Sequence, residues 1–290
     1  IRYQLTQTIK KVSWALKQQS QRSGMTTVQT EVLFGQIAGQ KGIKGLSLPL
    51  SNGGSINVRG KIDRLDQLTT ENGLYLGVVD YKSSHRKFNI TEAYYGLAMQ
   101  MLTYLDVALM DAVNLVGQSA KPAGSFYLHV HNPLLPYEDE TKKEQQVLKK
   151  FQYDGIILND PNLLENLDKS LEAKQSSLLY PIEQSAKELI KPGRRQEDKF
   201  VTEPELDALL THNRSKFIEA GNQITTGEIE LNPAYQGKER IACRFCPFRS
   251  VCEFDVMLQE NNYNRIENLS KKEVMDRLME DEEKGGADDE

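Results

Sequence analysis

Apolar residues in the first half of the chain recur at two different spacings. Between residues 1 and 23 they fall every three or four positions, as at Leu5, Ile9 and Val12, which is the period of an amphipathic helix. Further on, two apolar runs flank an Asn-Gly turn signal, and this arrangement predicts an antiparallel hairpin. The predicted elements are a helix over 1–23, a strand over 28–34, hairpin strands over 55–66 and 74–82, a helix over 91–116 and a strand over 124–130.

The second half of the chain is more polar and less regular. Residues 137–150 are highly charged and predict an inserted or exposed segment. The later predictions are short helices within 160–190, a loop over 191–198, a helix over 203–220 and a strand over 228–231. This order of elements indicates an α/β fold, with a mixed central sheet flanked by helices and a helical, cysteine-bearing C-terminal extension.

Composition places the chain among globular proteins without a membrane partner. Hydrophobic residues make up 39% and charged residues 27% of its 290 positions, which excludes collagen-like and wholly disordered chains. No apolar run reaches the roughly 18 residues of a membrane span. The chain opens Ile-Arg-Tyr, without an initiator Met or a signal peptide, and therefore we expect it to be a piece of a longer cytoplasmic protein.

The formal net charge of −5 comes from the last eleven residues. Residues 280–290 carry seven acidic side chains and one basic side chain, and such a run predicts a solvated, poorly ordered tail. The preceding 279 residues carry 35 basic and 34 acidic side chains. A nearly neutral body excludes no class of partner, nucleic acid included.

The predicted hairpin brings charged residues together at the ends of its strands. Asp63 lies on the first strand, and Asp80 and Lys82 end the second, so pairing places Asp63 opposite residues 80–82. Asp80 and Lys82 are two positions apart on a strand and share a face. Two carboxylates suit Mg²⁺, which takes one or two such ligands and keeps waters for a phosphate substrate. A lysine beside the metal can orient the attacking water.

Each of these features also has a plain structural interpretation. An Asp-x-Lys at a strand end is commonly a solvated charge pair. Glu31, on the preceding strand, either completes the metal site or is a surface acid. Gln100 and Tyr104 lie four apart on a predicted helix and share a face, which suits holding a phosphate or the lysine, or ordinary packing at the edge of the core.

Three cysteines lie close together near the C-terminus. Their spacing is Cys243-x₂-Cys246-x₅-Cys252, and an odd count is poor support for disulfides. A [4Fe–4S] cluster or a Cys₄ zinc site needs one more thiolate. The nearest histidine, His212, precedes Cys243 by 31 residues, so a Cys₃His zinc site is the less favoured alternative.

Taken together, the motifs resemble a known nuclease family. Glu31, Asp63, Asp80-Tyr81-Lys82 and Gln100-x₃-Tyr104 are similar to the PD-(D/E)XK fold in its RecB-like branch. Ile62 precedes the first aspartate in place of the proline of the family name, as is usual in that branch. A histidine that often precedes these motifs has no counterpart, because all four histidines follow Glu31.

The cysteine segment narrows the resemblance to the iron–sulfur subgroup of these nucleases. Cys243-Arg-Phe-Cys246-Pro-Phe-Arg-Ser-Val-Cys252, with Gly124 to Val130 and Gly155 to Asp160, resembles the C-terminal nuclease domains of the AddB (RexB) family. This implies a RecB-like nuclease domain over 1–279, with its core over about 25–135, a charged and helical region over about 137–225 and an iron–sulfur segment over 241–255.

The resemblance implies specific roles. Asp63, Asp80 and Glu31 would bind Mg²⁺, and Lys82, Gln100 and Tyr104 would complete the catalytic set. Cys243, Cys246 and Cys252 would face one another and hold a [4Fe–4S] cluster with a fourth cysteine that lies upstream of Ile1, so this chain alone would hold no intact cluster.

The implied activity is that of a DNA exonuclease domain that processes double-strand breaks for recombination. It would cut the 5′-ended strand in the bacterial cytoplasm, beside an AddA-like helicase–nuclease subunit. The chain itself carries no Gly-x₄-Gly-Lys-Ser/Thr phosphate loop. Two alternatives stay open: a DNA-clamping module that does not cut, and a stand-alone iron–sulfur exonuclease of the CRISPR-adaptation type, which a complete four-cysteine set would favour.

Overall fold

The computed structural model describes residues 2–35, 42–84, 86–133, 140–237, 239–258 and 261–285. The helices within these residues are α1 (Arg2–Arg22), α2 (Ile90–Tyr94), α3 (Gln100–Met110), α4 (Ala112–Val116), α5 (Glu140–Lys150), α6 (Pro161–Leu167), α7 (Glu203–Thr226), α8 (Arg249–Cys252) and α9 (Lys271–Gly285). The strands are β1 (Thr26–Phe34), β2 (Leu46–Pro49), β3 (Ser55–Val58), β4 (Gly60–Thr70), β5 (Gly73–Lys82), β6 (Lys121–His129), β7 (Asp154–Leu158), β8 (Ile182–Gln184), β9 (Ile190–Pro192), β10 (Phe200–Val201), β11 (Ala234–Gln236), β12 (Glu239–Arg240) and β13 (Asn264–Ile266).

A six-stranded mixed sheet, in the order β1-β4-β5-β6-β7-β10, carries the core. The pairs β1/β4, β4/β5 and β6/β7 are antiparallel, whereas β5/β6 and β7/β10 are parallel. The β5/β6 pair is parallel because a helical crossover containing α3 joins the two strands. This arrangement confirms the predicted α/β class with a mixed central sheet.

Strand β5 lies at the centre of the sheet and is buried from Leu74 to Asp80. A strand covered on both faces is expected to be an almost continuous apolar run, and β5 has that pattern. Helix α3 packs on β5 and β6 through its apolar side, which includes Leu102 and Leu105. The Oγ of Ser125 on β6 donates a 3.0 Å hydrogen bond to the carbonyl oxygen of Met101 and fixes the helix to the sheet.

The chain divides into two compact units. The first contains residues 1–47, 57–88 and 99–210, and it includes the whole six-stranded sheet. The second contains residues 48–56, 89–98 and 211–290, with the three-stranded sheet β12-β11-β13 and all three cysteines. The domain limits inferred from the sequence stay a prediction.

The helix predicted over 91–116 is interrupted twice. Helix α2 ends at Tyr94, and Gly96 follows with φ of +71°, a left-handed conformation that favours glycine and ends helices. Asp111 then separates α3 from α4 with φ of −109° and ψ of 19°, outside helical geometry. The apolar pattern spans both breaks because all three pieces bury residues, so periodicity alone predicts one helix.

Other differences lie in the C-terminal half. The strand predicted over 228–231 is absent, and the chain there is irregular before β11 begins at Ala234. Helix α9 runs through the predicted boundary of the disordered tail at 280 because Val274, Met275 and Leu278 form a buried stripe that stabilises it. The last five residues, 286–290, lie outside the described residues. Within the described part of the chain, no helix combines the length and apolarity needed to cross a membrane.

Candidate active site

The two aspartates predicted from the hairpin lie directly across from each other. Arg64 pairs with Val79 in the antiparallel β4/β5 ladder, so Asp63 lies opposite Asp80 on the same face of the sheet. The backbone N–H of Tyr81 donates a 3.0 Å hydrogen bond to Oδ2 of Asp63 and holds that carboxylate against β5. Two carboxylates from neighbouring strands therefore converge at the end of the hairpin.

Lys82 joins the aspartates on this face. Its Nζ lies 2.6 Å from Oδ2 of Asp80, and it also donates a 2.9 Å hydrogen bond to Oε1 of Gln100. The lysine ammonium is 5.7 Å from the centre of the Tyr127 ring, a distance at which a cation and a ring attract each other. The ammonium is thus held beside the carboxylates by groups from three elements.

Asp80 is the most buried charged residue of the site. It is 3% exposed, and its Oδ2 receives no aligned hydrogen bond from any described residue, so the nearby lysine ammonium balances its charge. Burial raises the pKa of Asp80 above its ordinary value, Lys82 opposes that shift, and the negative charge of Asp63 adds to it. A desolvated carboxylate that lies beside a second carboxylate is a strong ligand for a cation.

Helix α3 contributes the two side chains predicted at i and i+4. Gln100 accepts from Lys82 and donates from Nε2 to the hydroxyl of Tyr104 at 2.8 Å. The Tyr104 ring packs edge-on against Phe34, with 5.7 Å between ring centres. Burial raises the pKa of Tyr104, and the charges of Asp80 and Asp63 also raise it. The hydroxyl therefore stays protonated and can donate to an acceptor.

Glu31 is not gathered with the two aspartates. It lies on β1 between two residues that pair with Arg64 and Ile62, which places it beside Asp63 in the ladder, but its backbone has φ of +56° and its side chain is 63% exposed. The carboxylate forms an ion pair with Lys61, whose pKa it raises. The lysine ammonium is its cationic partner, and among the described residues Glu31 forms no three-ligand group with Asp63 and Asp80.

The two aspartates meet the needs of a divalent metal in part. In the described chain, no group of three His, Cys, Asp or Glu side chains lies close enough to hold a metal. Mg²⁺, however, commonly takes only one or two protein carboxylates and keeps its waters. Asp63 and Asp80, which lie opposite each other on paired strands, fit that requirement without Glu31.

A pair of histidines borders the site and escaped the sequence analysis. His129 on β6 pairs with Lys82 in the parallel ladder, so both lie on one face. Its ring stacks on His131 with 4.0 Å between ring centres. The alternation of β6 would have pointed to His129, but only if its register with β5 had been known.

Sequence reasoning also missed a polar cluster on the opposite face of the hairpin. Its members are Thr27, Arg64, Asp66, Tyr81 and Tyr153. Burial alone would lower the pKa of Arg64, but Tyr153, Asp66 and Tyr81 together raise it above its ordinary value, so the guanidinium stays charged. Burial raises the pKa of Tyr153 to about 12, although the nearby Arg64 guanidinium opposes the shift.

The three cysteines do not form the metal-binding group expected of them. Cys243 and Cys246 are half-buried, Cys252 is exposed, and all three are free thiols. They lie on a 3₁₀ turn, in an irregular segment and on the short helix α8, and among the described residues they do not converge into a group of three metal ligands.

The chain matches known proteins in agreement with this geometry. Residues 2–253 match the family described as the PD-(D/E)XK nuclease superfamily. The chain is 78% identical over 290 residues to an ATP-dependent helicase/deoxyribonuclease subunit of Enterococcus faecalis, and 45% identical over 291 residues to the protein of that name from Latilactobacillus sakei. The Lactiplantibacillus plantarum protein of the same name is 42% identical over 288 residues.

These alignments cover 100%, 96% and 98% of the chain but only 24% of each relative. The chain therefore spans about a quarter of the length of the curated relatives it matches. The family match, by contrast, extends over most of its residues and includes the hairpin and helix α3. The chain belongs to the PD-(D/E)XK nuclease superfamily.

Proposed function

We propose that this chain is a divalent-metal-dependent deoxyribonuclease domain that hydrolyses phosphodiester bonds. The observation that carries the proposal is the face formed by Asp63 and Asp80 on paired strands, with the Lys82 ammonium 2.6 Å from Asp80. Family membership supports the reaction class. The intact set of acids and lysine favours an enzyme over a module that binds DNA without cutting it.

Asp63 and Asp80 would hold Mg²⁺. When bound, the metal supplies positive charge for the developing phosphate anion and lowers the pKa of water. Lys82 offsets charge at the phosphorus and orients the attacking water, and Gln100 keeps its ammonium in place through their 2.9 Å hydrogen bond. The protonated hydroxyl of Tyr104 donates to a phosphate oxygen.

The names of the relatives support the proposed biological role. Their names, which describe one subunit of an ATP-dependent helicase/deoxyribonuclease, support a role in processing DNA double-strand breaks, with an AddA-like subunit as heterodimer partner. On this proposal the substrate is the 5′-ended strand of a break, in the bacterial cytoplasm.

The test is degradation of end-labelled single-stranded DNA by the full-length protein with its partner subunit, measured with Mg²⁺ and with EDTA. An Asp80→Ala variant is the matched control. We expect cleavage of the 5′-ended strand, the strand proposed for this domain, only with the metal and only with Asp80. Substrates labelled at the 5′ or the 3′ end separate the two polarities. Cleavage that does not need the metal would count against the proposal. DNA binding without cleavage by the unaltered protein would also count against it and would favour a DNA-clamping module.

Glu31 is proposed to join the metal site only after it leaves Lys61. A Lys61→Ala variant removes the competing cation, so we expect it to bind Mn²⁺ about two- to fivefold more tightly, within the small range typical of an exposed ion pair. Calorimetric titration measures the affinity. Lys216→Ala, which removes a similar surface pair with Glu219, is the control. Unchanged Mn²⁺ affinity in Lys61→Ala would exclude Glu31 from the metal site.

The cysteines are proposed to bind a [4Fe–4S] cluster in the full-length protein, with a fourth cysteine outside this chain. Their close spacing and free thiols support this, although the described residues alone do not form the site. Three thiolates leave one iron open to solvent, and open clusters are readily lost.

Iron and sulfide analysis checks this proposal. Purified in air, these 290 residues are expected to hold less than one cluster per chain, whereas the full-length protein is expected to hold one. A complete cluster in the 290 residues alone would require a ligand other than cysteine and would contradict the proposal.

A further inference from the structure

The polar cluster behind the candidate site is built around one buried guanidinium. Arg64 is 7% exposed, and its Nη1 and Nη2 donate to the hydroxyls of Tyr81 and Tyr153 at 2.8 and 2.7 Å. Nε and Nη2 also donate to one oxygen of Asp66, at 3.1 and 2.8 Å. Thr27 on β1 donates a 2.8 Å hydrogen bond to the other oxygen of Asp66. The cluster therefore joins three adjacent strands at the end that carries the aspartates.

The cluster and the candidate site share the same backbone. Arg64 directly follows Asp63 on β4, and Tyr81 lies between Asp80 and Lys82 on β5. Because side chains alternate along a strand, Arg64 and Tyr81 leave one face while their neighbours leave the other. The backbone N–H of Tyr81 also donates to the Asp63 carboxylate, so any shift of Tyr81 moves a carboxylate of the site.

We propose that Arg64 is a positioning residue that acts through Tyr81 to hold Asp63 and Asp80 in the geometry needed for the metal. This inference rests on the proposed metal-dependent nuclease function. The guanidinium holds the Tyr81 side chain, and Tyr81 in turn holds both aspartates in position. Neither Arg64 nor Tyr81 touches the substrate in this scheme.

The composition of the cluster supports a positioning role. A buried ion pair often stabilises a protein no more than well-packed apolar residues of the same volume would. Directional hydrogen bonds, in contrast, fix the angles and distances between the elements that they join. The Arg64 fork has defined directions, and it joins β4 to β5 where the two aspartates must meet a single cation.

Two phenylalanine substitutions test the proposal. Tyr81→Phe and Tyr153→Phe each remove one hydroxyl that accepts from Arg64, but only Tyr81 lies on a strand of the site. Tyr153 is 4% exposed, so its substitution costs at least as much stability as that of the less buried Tyr81. Mn²⁺ affinity is measured by electron paramagnetic resonance on the full-length protein, beside melting temperatures.

Tyr81→Phe is expected to weaken Mn²⁺ binding roughly tenfold, as loss of an outer-shell partner commonly does, while Tyr153→Phe binds Mn²⁺ like the unaltered protein. Equal Mn²⁺ affinities in both variants, whether lowered or unchanged, would show that the cluster only stabilises the sheet and would overturn the proposal. An Asp80→Ala variant distinguishes failure of the proposed metal site from failure of the proposed role of Arg64. If it binds Mn²⁺ normally, the proposed metal site itself is wrong; if it loses Mn²⁺, the site stands and the phenylalanine variants decide the role of Arg64.

Discussion

Replacing Asp80 by Ala is expected to lower the rate of metal-dependent DNA cleavage about a thousandfold or more, without unfolding the protein. A metal ligand contributes several kcal/mol of transition-state stabilisation, and each factor of ten in rate corresponds to about 1.4 kcal/mol. Lys82→Ala is expected to reduce cleavage strongly as well, because the ammonium that offsets charge at the phosphorus is lost.

The fold should tolerate the loss of Asp80. Its carboxylate is 3% exposed, and burial raises its pKa, which means that keeping it ionised at neutral pH costs stability. Because a group with a raised pKa stabilises the fold only when protonated, alanine removes a destabilising charge at about pH 7. We therefore expect an equal or higher melting temperature.

Initial cleavage rates and melting curves of the same preparations check this prediction. Functional residues often lower the stability of a fold, so an inactive but stable variant is consistent with Asp80 as a metal ligand. Substantial cleavage by both Asp80→Ala and Lys82→Ala, with melting curves matching the unaltered protein, would place the chemistry elsewhere in the chain.

Replacing Asp66 by Ala, unlike replacing Asp80, is expected to destabilise the fold. The expected loss is about 3–5 kcal/mol in the free energy of unfolding. Asp66 is 5% exposed and is the ionic partner of the buried Arg64 guanidinium. Without it, a charge stays inside the protein with the hydroxyls of Tyr81 and Tyr153 as its acceptors among the described residues. An uncompensated buried charge of this kind is among the most destabilising changes known.

Urea unfolding measures the loss. Glu267→Ala removes an exposed ion pair with Arg277, and this control is expected to change the free energy of unfolding little, because water and salt screen such a pair. A double variant, Arg64→Met with Asp66→Leu, removes both charges and is expected to recover most of the lost stability. A loss below about 1 kcal/mol in Asp66→Ala would mean that the guanidinium finds water or another partner.

The parts of the candidate site that follow from local pattern could be predicted from the sequence. Strand alternation places Asp80 and Lys82 on one face, and a short turn fixes which residue of β4 lies opposite them. Helical spacing places Gln100 and Tyr104 together, and the structure links them through a 2.8 Å hydrogen bond. Each of these relations depends on neighbours within one or two elements.

The relations that were missed depend on contacts between distant parts of the chain. Tyr153 reaches Arg64 across 89 positions of sequence, so no local pattern could reveal the cluster. The Glu31 side chain turns to Lys61 through a left-handed backbone conformation that is uncommon for a glutamate. The break at Gly96 was visible as a glycine, but a continuous apolar pattern concealed its effect.

The end of the β4/β5 hairpin carries the site on one face and the polar cluster on the other, and this restricts how the length of the hairpin can change during evolution. Asp80, Tyr81 and Lys82 send alternate side chains to opposite faces, and β4 and β5 meet at a two-residue turn, Glu71–Asn72. Deleting one residue within the strand would exchange the faces, placing a tyrosine where a carboxylate belongs and unpairing Arg64 in the same step. Insertions in this hairpin should therefore accumulate in the turn, where Gly73 has open space around it, while the interval from the turn to Asp80 keeps a fixed length.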